Sequence, residues 1–135
     1  MSAPDQPKAH FDPVALCADL GGSMSAVVKV LETVESWLED IRARLNGAVD
    51  AGDMPQVSAL AHALRGSLAQ LRARSAVERV HALEALCKAD PGIRLRADHP
   101  DLLALDRELD TLAAEIAQFL TAARSAPHMA PHDPA

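Results

Sequence analysis

Apolar residues recur at intervals of three and four through most of the chain, interrupted at a few points rich in glycine, proline and aspartate. Met24, Val28, Leu31, Val34, Leu38, Ile41 and Leu45 form one series; Val57, Leu60, Leu64, Leu68 and Leu71 form a second. Leu102, Leu105, Leu109, Leu112, Ile116 and Leu120 form a third, and Ala76, Val80, Leu83 and Cys87 a shorter fourth. Because an α-helix turns once in 3.6 residues, each series lies along one helix face. Four such stripes joined by short connections predict an all-α fold, an antiparallel four-helix bundle whose stripes meet in a common core.

The breaks between stripes carry recognisable cap chemistry. Asp12-Pro13 predicts a helix start with Asp12 as N-cap and Pro13 first inside, and Gly21-Gly22 stops that short helix after Leu20. It is expected to cap one end of the bundle. Ser23 or Ser25 caps the next helix, which runs to about residue 49 through Gly47. Ala51-Gly52-Asp53 makes the following turn, Asp53 caps, and Pro55 is tolerated in a first turn whose N–H groups lack partners. The third helix is read over residues 53–74, with Ser75 as a cap or short break before a fourth over 76–88. Asp90-Pro91-Gly92 ends the fourth, and residues 93–97 form a loop with Arg94 and Arg96 solvated. Asp98 or His99 caps a last helix that starts at Pro100 and runs to about residue 124. This divides the chain into a flexible leader at 1–10, a bundle at 11–125 and a disordered tail at 126–135 containing Pro127, Pro131 and Pro134.

Composition narrows the function classes. The chain has 135 residues, one domain by the usual prior, and is 49% hydrophobic but only 2% aromatic, so the core is aliphatic. Thirteen basic against nineteen acidic residues give a net charge of −6, which argues against nucleic acid or an anionic membrane as partner. With no apolar run near 18 residues and no basic start followed by an apolar core, a cytoplasmic protein is expected. Cys17 and Cys87 lack metal-ligand spacing and are read as free, buried small hydrophobes. His128 and His132 sit four apart in the tail and are not expected to hold a metal.

The candidate chemistry lies on the outward face of the third helix. His62 is roughly 160° around the helix from the centre of the leucine stripe. Ser58, Ala59, Arg65, Gly66, Ala69, Arg72 and Ala73 share its side, and small residues dominate where a solvated face ordinarily carries Lys, Glu and Gln. Gly66 stands out, since glycine inside a helix costs about 0.5–1 kcal/mol relative to alanine. Arg65, one turn after His62, places a fork of donors suited to phosphate beside the imidazole.

These residues resemble the histidine-containing phosphotransfer (HPt) domains of two-component phosphorelays. The family pattern has an Asp-Pro start, a short helix, a long helix ending near Gly-Asp, then His-x-Leu-Lys-Gly-Ser followed by a Leu-Glu pair. Asp12-Pro13, Gly52-Asp53, His62-Ala63-Leu64-Arg65-Gly66-Ser67 and Leu83-Glu84 follow it in order. Arg65 replaces the family's lysine, Gln70 stands where asparagine is common, and Arg72 stands where glycine is usual. The resemblance implies that His62 accepts a phosphoryl group from a receiver-domain aspartate and passes it to another. Neutral imidazole is the nucleophile in that reading.

In that reading Arg65 balances phosphoryl charge, while Gly66, Ala59, Ala69, Gln70, Ala73 and Arg72 form the docking surface. Partners are receiver domains of response regulators and hybrid histidine kinases, with the bundle acting as a monomeric phosphocarrier and not an autonomous enzyme. Neither a metal nor a cofactor is implied, since there is no carboxylate cluster for Mg²⁺ and no glycine-rich nucleotide loop. One rival is a binding-only adaptor or antagonist of the same ancestry. Another is a helical oligomerisation domain that uses the exposed alanines. His81 is read as structural or incidental, and Glu84 as solvated.

Overall fold

The computed structural model describes residues 11–125, so the leader at 1–10 and the tail at 126–135 lie outside the described residues. Five helices are present: α1 (Pro13–Asp19), α2 (Met24–Ala51), α3 (Met54–Gln70), α4 (Arg74–Ala89) and α5 (Pro100–Ser125). The helix α2 packs on α3, α3 on α4, α4 on α5, and α5 returns to α2, which closes a four-helix ring. Its stripes supply the core. All six apolar positions expected in α5 are buried, as are Val57, Leu60, Leu64, Leu68 and Leu71. In α2 the buried line runs through Val27, Leu31, Leu38, Ile41, Leu45, Ala48 and Val49, with Met24, Val28 and Val34 partly buried at its margin. Cys17 and Cys87 are free and only partly buried.

Side-chain caps set the helix starts. Asp12 Oδ1 accepts from the Ala15 N–H at 3.0 Å, Ser23 Oγ from Ala26 at 3.1 Å, and Asp53 Oδ1 from Gln56 at 3.2 Å. Ser23, rather than Ser25, therefore caps α2. At α5 the Asp101 N–H donates to His99 Nδ1 at 3.1 Å, which settles the cap on His99. The connection over residues 90–99 is held down by buried Leu95, and Arg94 lies over Gly52, its guanidinium carbon 3.3 Å from where a β-carbon would stand. Arg96 faces solvent beside Asp98.

Three helix ends share one geometry. At the ends of α1, α2 and α3 a residue in the left-handed region donates to the carbonyl three back, and its successor donates to the carbonyl five back. The left-handed residue is Gly21 at φ 74° and Gly52 at φ 68° in the first two, but Arg72 at φ 64° in the third. This corrects the expected boundary: α3 stops at Gln70, and α4 begins at Arg74 with Ser75 inside it, its Oγ donating to Glu108 Oε2 at 2.7 Å. The helical pattern runs on through Leu71-Arg72-Ala73 because no glycine or proline marks the reversal.

Across the bundle, α1 lies at 113° to α2. The Asp12 N–H donates to the Leu71 carbonyl at 3.4 Å, and Phe11 meets Phe119 edge-on with centroids 6.1 Å apart. The start of the described chain is thus tied to the ends of α3 and α5, so α1 covers that end of the ring. On the surface Arg42 bridges α2 to Asp106 at 2.6 Å and Asp110 at 2.8 Å, and Arg124 reaches Glu32 at 2.8 Å. Burial alone lowers the Arg42 pKa, but the two aspartates outweigh it and raise the value.

Candidate functional site

His62 leaves α3 on the side away from its leucine stripe, and its side chain is 73% exposed. Arg65 follows one turn later, half-buried. Glu84 arrives from α4, only 19% exposed, and joins the two: its Oε1 accepts from Arg65 Nε at 2.5 Å and its Oε2 lies 3.3 Å from His62 Nδ1. Arg65 Nη2 also lies 3.3 Å from His62 Nδ1. Glu84 is therefore not simply solvated. A carboxylate on an outer helix face looks solvated in one dimension; its partners belong to the neighbouring helix.

The geometry divides the imidazole into two ends. Nδ1 faces both partners: with its proton on Nδ1 the ring donates to Glu84 and keeps the Nε2 lone pair free, and with its proton on Nε2 it accepts from Arg65 Nη2. Arg65 neutralises that carboxylate through Nε, so the ring meets a paired Glu84 and not a bare anion. Among the described residues no cluster of three His, Cys, Asp or Glu side chains is placed to hold a metal.

Around His62 the surface is low. Ser58, Ala59, Ala63, Gly66, Ala69 and Gln70 are exposed. A β-carbon added to Gly66 meets nothing within 4 Å, so the bundle's own packing does not demand glycine there. Two expected members of the face lie elsewhere. Ala73 is fully buried as the N-cap residue of α4, because the chain has already reversed at Arg72. Arg72 leaves the α3 surface and turns to α1, where its Nε and Nη2 donate to Asp19 Oδ2 and Oδ1 at 3.2 and 3.1 Å. His81 is exposed on α4, outside the His62, Arg65 and Glu84 group.

Beyond Ala69 and Gln70 the low face runs into an open groove of about 730 Å³ between α1, α2 and the end of α3. Val30, Val34, Trp37 and Leu71 give it an apolar floor, and Lys29, Asp19 and Arg72 stand around it. His62 does not line this groove, which is a neighbouring surface. The Arg72 pair at its edge is exposed at both partners, 48% and 44%, and exposed ion pairs add little stability, whereas a left-handed backbone is costly for any residue but glycine. Stability does not account for arginine at this position.

An all-helical ring bearing an exposed histidine, with a cation and a carboxylate at its back, defines the class. The Hpt domain family model matches residues 29–123, and the chain belongs to that family. The structure is similar to the crystal structure of the HPt domain from the Hpt sensor hybrid histidine kinase of Shewanella, with a TM-score of 0.71. The match covers 84% of this chain and 96% of that one at 14% identity, a likeness of fold. Among curated proteins none matches. Membership assigns the protein a phosphotransfer role in two-component phosphorelays, in which Hpt domains are carriers that interact with receiver domains. No single helix among the described residues is long and apolar enough to cross a membrane.

Proposed function

We propose that His62 is the phosphoacceptor of a phosphorelay intermediate, taking the group from one receiver aspartate and giving it to another. The observation that carries this reading is the contact of Glu84 with Nδ1 of the exposed His62 ring; in the tautomer that donates to Glu84, the lone pair on Nε2 is the nucleophile. The Nε2 lone pair attacks the phosphorus of the receiver's aspartyl phosphate. The N–P bond forms, the acyl O–P bond breaks, and the aspartate leaves as a carboxylate. The product ring is cationic with its proton on Nδ1, and Glu84 stabilises that charge. Transfer onward reverses these steps with a second carboxylate as nucleophile.

Arg65 fixes Glu84 and brings positive charge to the incoming phosphoryl oxygens. Gly66, Ala59, Ala69 and Gln70 let the receiver's active-site loop approach, and the receiver brings its own cation and acidic pocket. The protein acts as a cytoplasmic, monomeric carrier with no catalytic cycle of its own. Incubation with a phosphorylated receiver tests the reading: label is expected on wild type, acid-labile and alkali-stable, and lost in His62→Gln with the helical signal retained. A bundle that binds the receiver yet never takes label is a binding-only adaptor.

A further inference from the structure

We propose that Arg72, held in waiting by Asp19, selects among receiver domains: those accepted present a carboxylate that takes Arg72 over from Asp19 as an adjoining receiver helix settles into the apolar groove. The proposal rests on the reading of His62 as the transfer centre. Three observations converge on it.

The first is the residue itself. Of three helix ends built alike, two place glycine in the left-handed position and the third places Arg72, the one non-glycine residue with positive φ among those described. Its guanidinium is spent on Asp19, a partner as exposed as itself, and such a pair is easily exchanged for another carboxylate.

Position is the second. Gln70 lies about 12 Å along the helix axis from His62, at 1.5 Å per residue, so a receiver seated on His62 extends over the end of α3. Ala69 and Gln70 belong to both the low face and the groove, so one partner surface covers both. The floor of Val30, Val34, Trp37 and Leu71 suits the apolar side of a helix.

The third is charge. On a chain of net charge −6, the groove carries Lys29 and Arg72 at its edge, with Asp19 the only acidic residue lining it among the described residues. A receiver with a carboxylate at that edge gains Arg72, and Asp19 returns to water. One with a lysine or arginine there meets a like charge, and one with an apolar residue covers the pair without replacing its hydration. Selection arises from these penalties.

The test uses the full chain and isolated receiver domains of the source organism, each phosphorylated, with transfer to His62 as one readout. Emission of Trp37, the chain's single tryptophan, is the other, since it stands in the groove floor. Accepted receivers are expected to shift Trp37 emission and to lose about tenfold in affinity with Arg72→Gly, while rejected receivers gain. Arg72→Glu is expected to exclude the accepted receivers and to be rescued by exchanging the receiver's facing carboxylate for lysine, a rescue that a purely structural role does not give. Transfer profiles indifferent to residue 72, in variants that melt normally, overturn the selection while leaving His62 as the transfer centre. Absence of transfer from every receiver to wild type overturns the underlying reading and the selection with it.

Discussion

The carboxylate of Glu84 faces the imidazole of His62 across the α3–α4 interface, Oε2 to Nδ1 at 3.3 Å, while its other oxygen holds Arg65. One side chain thus meets the Nδ1 end of the ring and anchors the neighbouring cation. Glu84→Ala removes both functions and is expected to slow phosphotransfer by roughly tenfold to a hundredfold, since small losses of alignment are costly to a reacting group. Glu84→Gln keeps an acceptor for Nδ1–H and is expected to retain most of the rate. Single-turnover transfer from a phosphorylated receiver measures both; equal rates for Glu84→Ala and wild type contradict the orienting role.

Arg65 is expected to act through the same unit. Arg65→Ala slows transfer or shortens the lifetime of the phosphorylated form, and Arg65→Lys restores much of the activity by keeping the charge. The change in stability stays within about 0.5–1 kcal/mol, because the side chain is part-exposed at 38%. A double-mutant cycle with Glu84→Ala is expected to be non-additive, the second change adding little to the first. Strict additivity in the transfer rates means that the two residues work independently.

The low surface beside His62 gives a prediction in which binding and stability move in opposite directions. Gly66 sits inside α3 with open space around its missing β-carbon, so Gly66→Gln is expected to raise the melting temperature through a helix-propensity gain of about 0.5–1 kcal/mol. It is also expected to block receiver binding. Ala69→Glu blocks binding with little change in stability, as Ala69 is exposed. Ala73→Gln, at a buried site, unfolds the bundle more readily, by about 1–3 kcal/mol. Thermal melts beside a receiver titration separate the three; a stable Ala73→Gln variant with lost binding returns that residue to the docking face.

Much of the fold could be read from the chain because its determinants are local. The α5 stripe is regular enough for spacing alone to identify six core residues, and Asp12 and Asp53 cap where their chemistry indicates. Ser23 and Ser25 were equivalent until the backbone chose between them. The α3–α4 boundary was not legible, since the left-handed turn that usually advertises itself with glycine is made here by Arg72. That one reversal moved Ala73 into the core and Arg72 onto α1, changing the far end of the low face beside His62. The role of Glu84 was hidden for another reason. It depends on the rotation of α4 against α3, and the Leu83-Glu84 pair marks the position without stating what the carboxylate touches.

The central claim is that His62 takes the phosphoryl group on Nε2 because Glu84 occupies the Nδ1 end. The direct measurement is to load the protein from a phosphorylated receiver, count phosphoryl groups by mass, and determine by phosphorus and nitrogen NMR which ring nitrogen carries the group. One phosphoryl group per chain, on Nε2 of His62 and lost with His62→Gln, is the predicted result. Phosphate on Nδ1, on His81, or on no histidine at all contradicts the account.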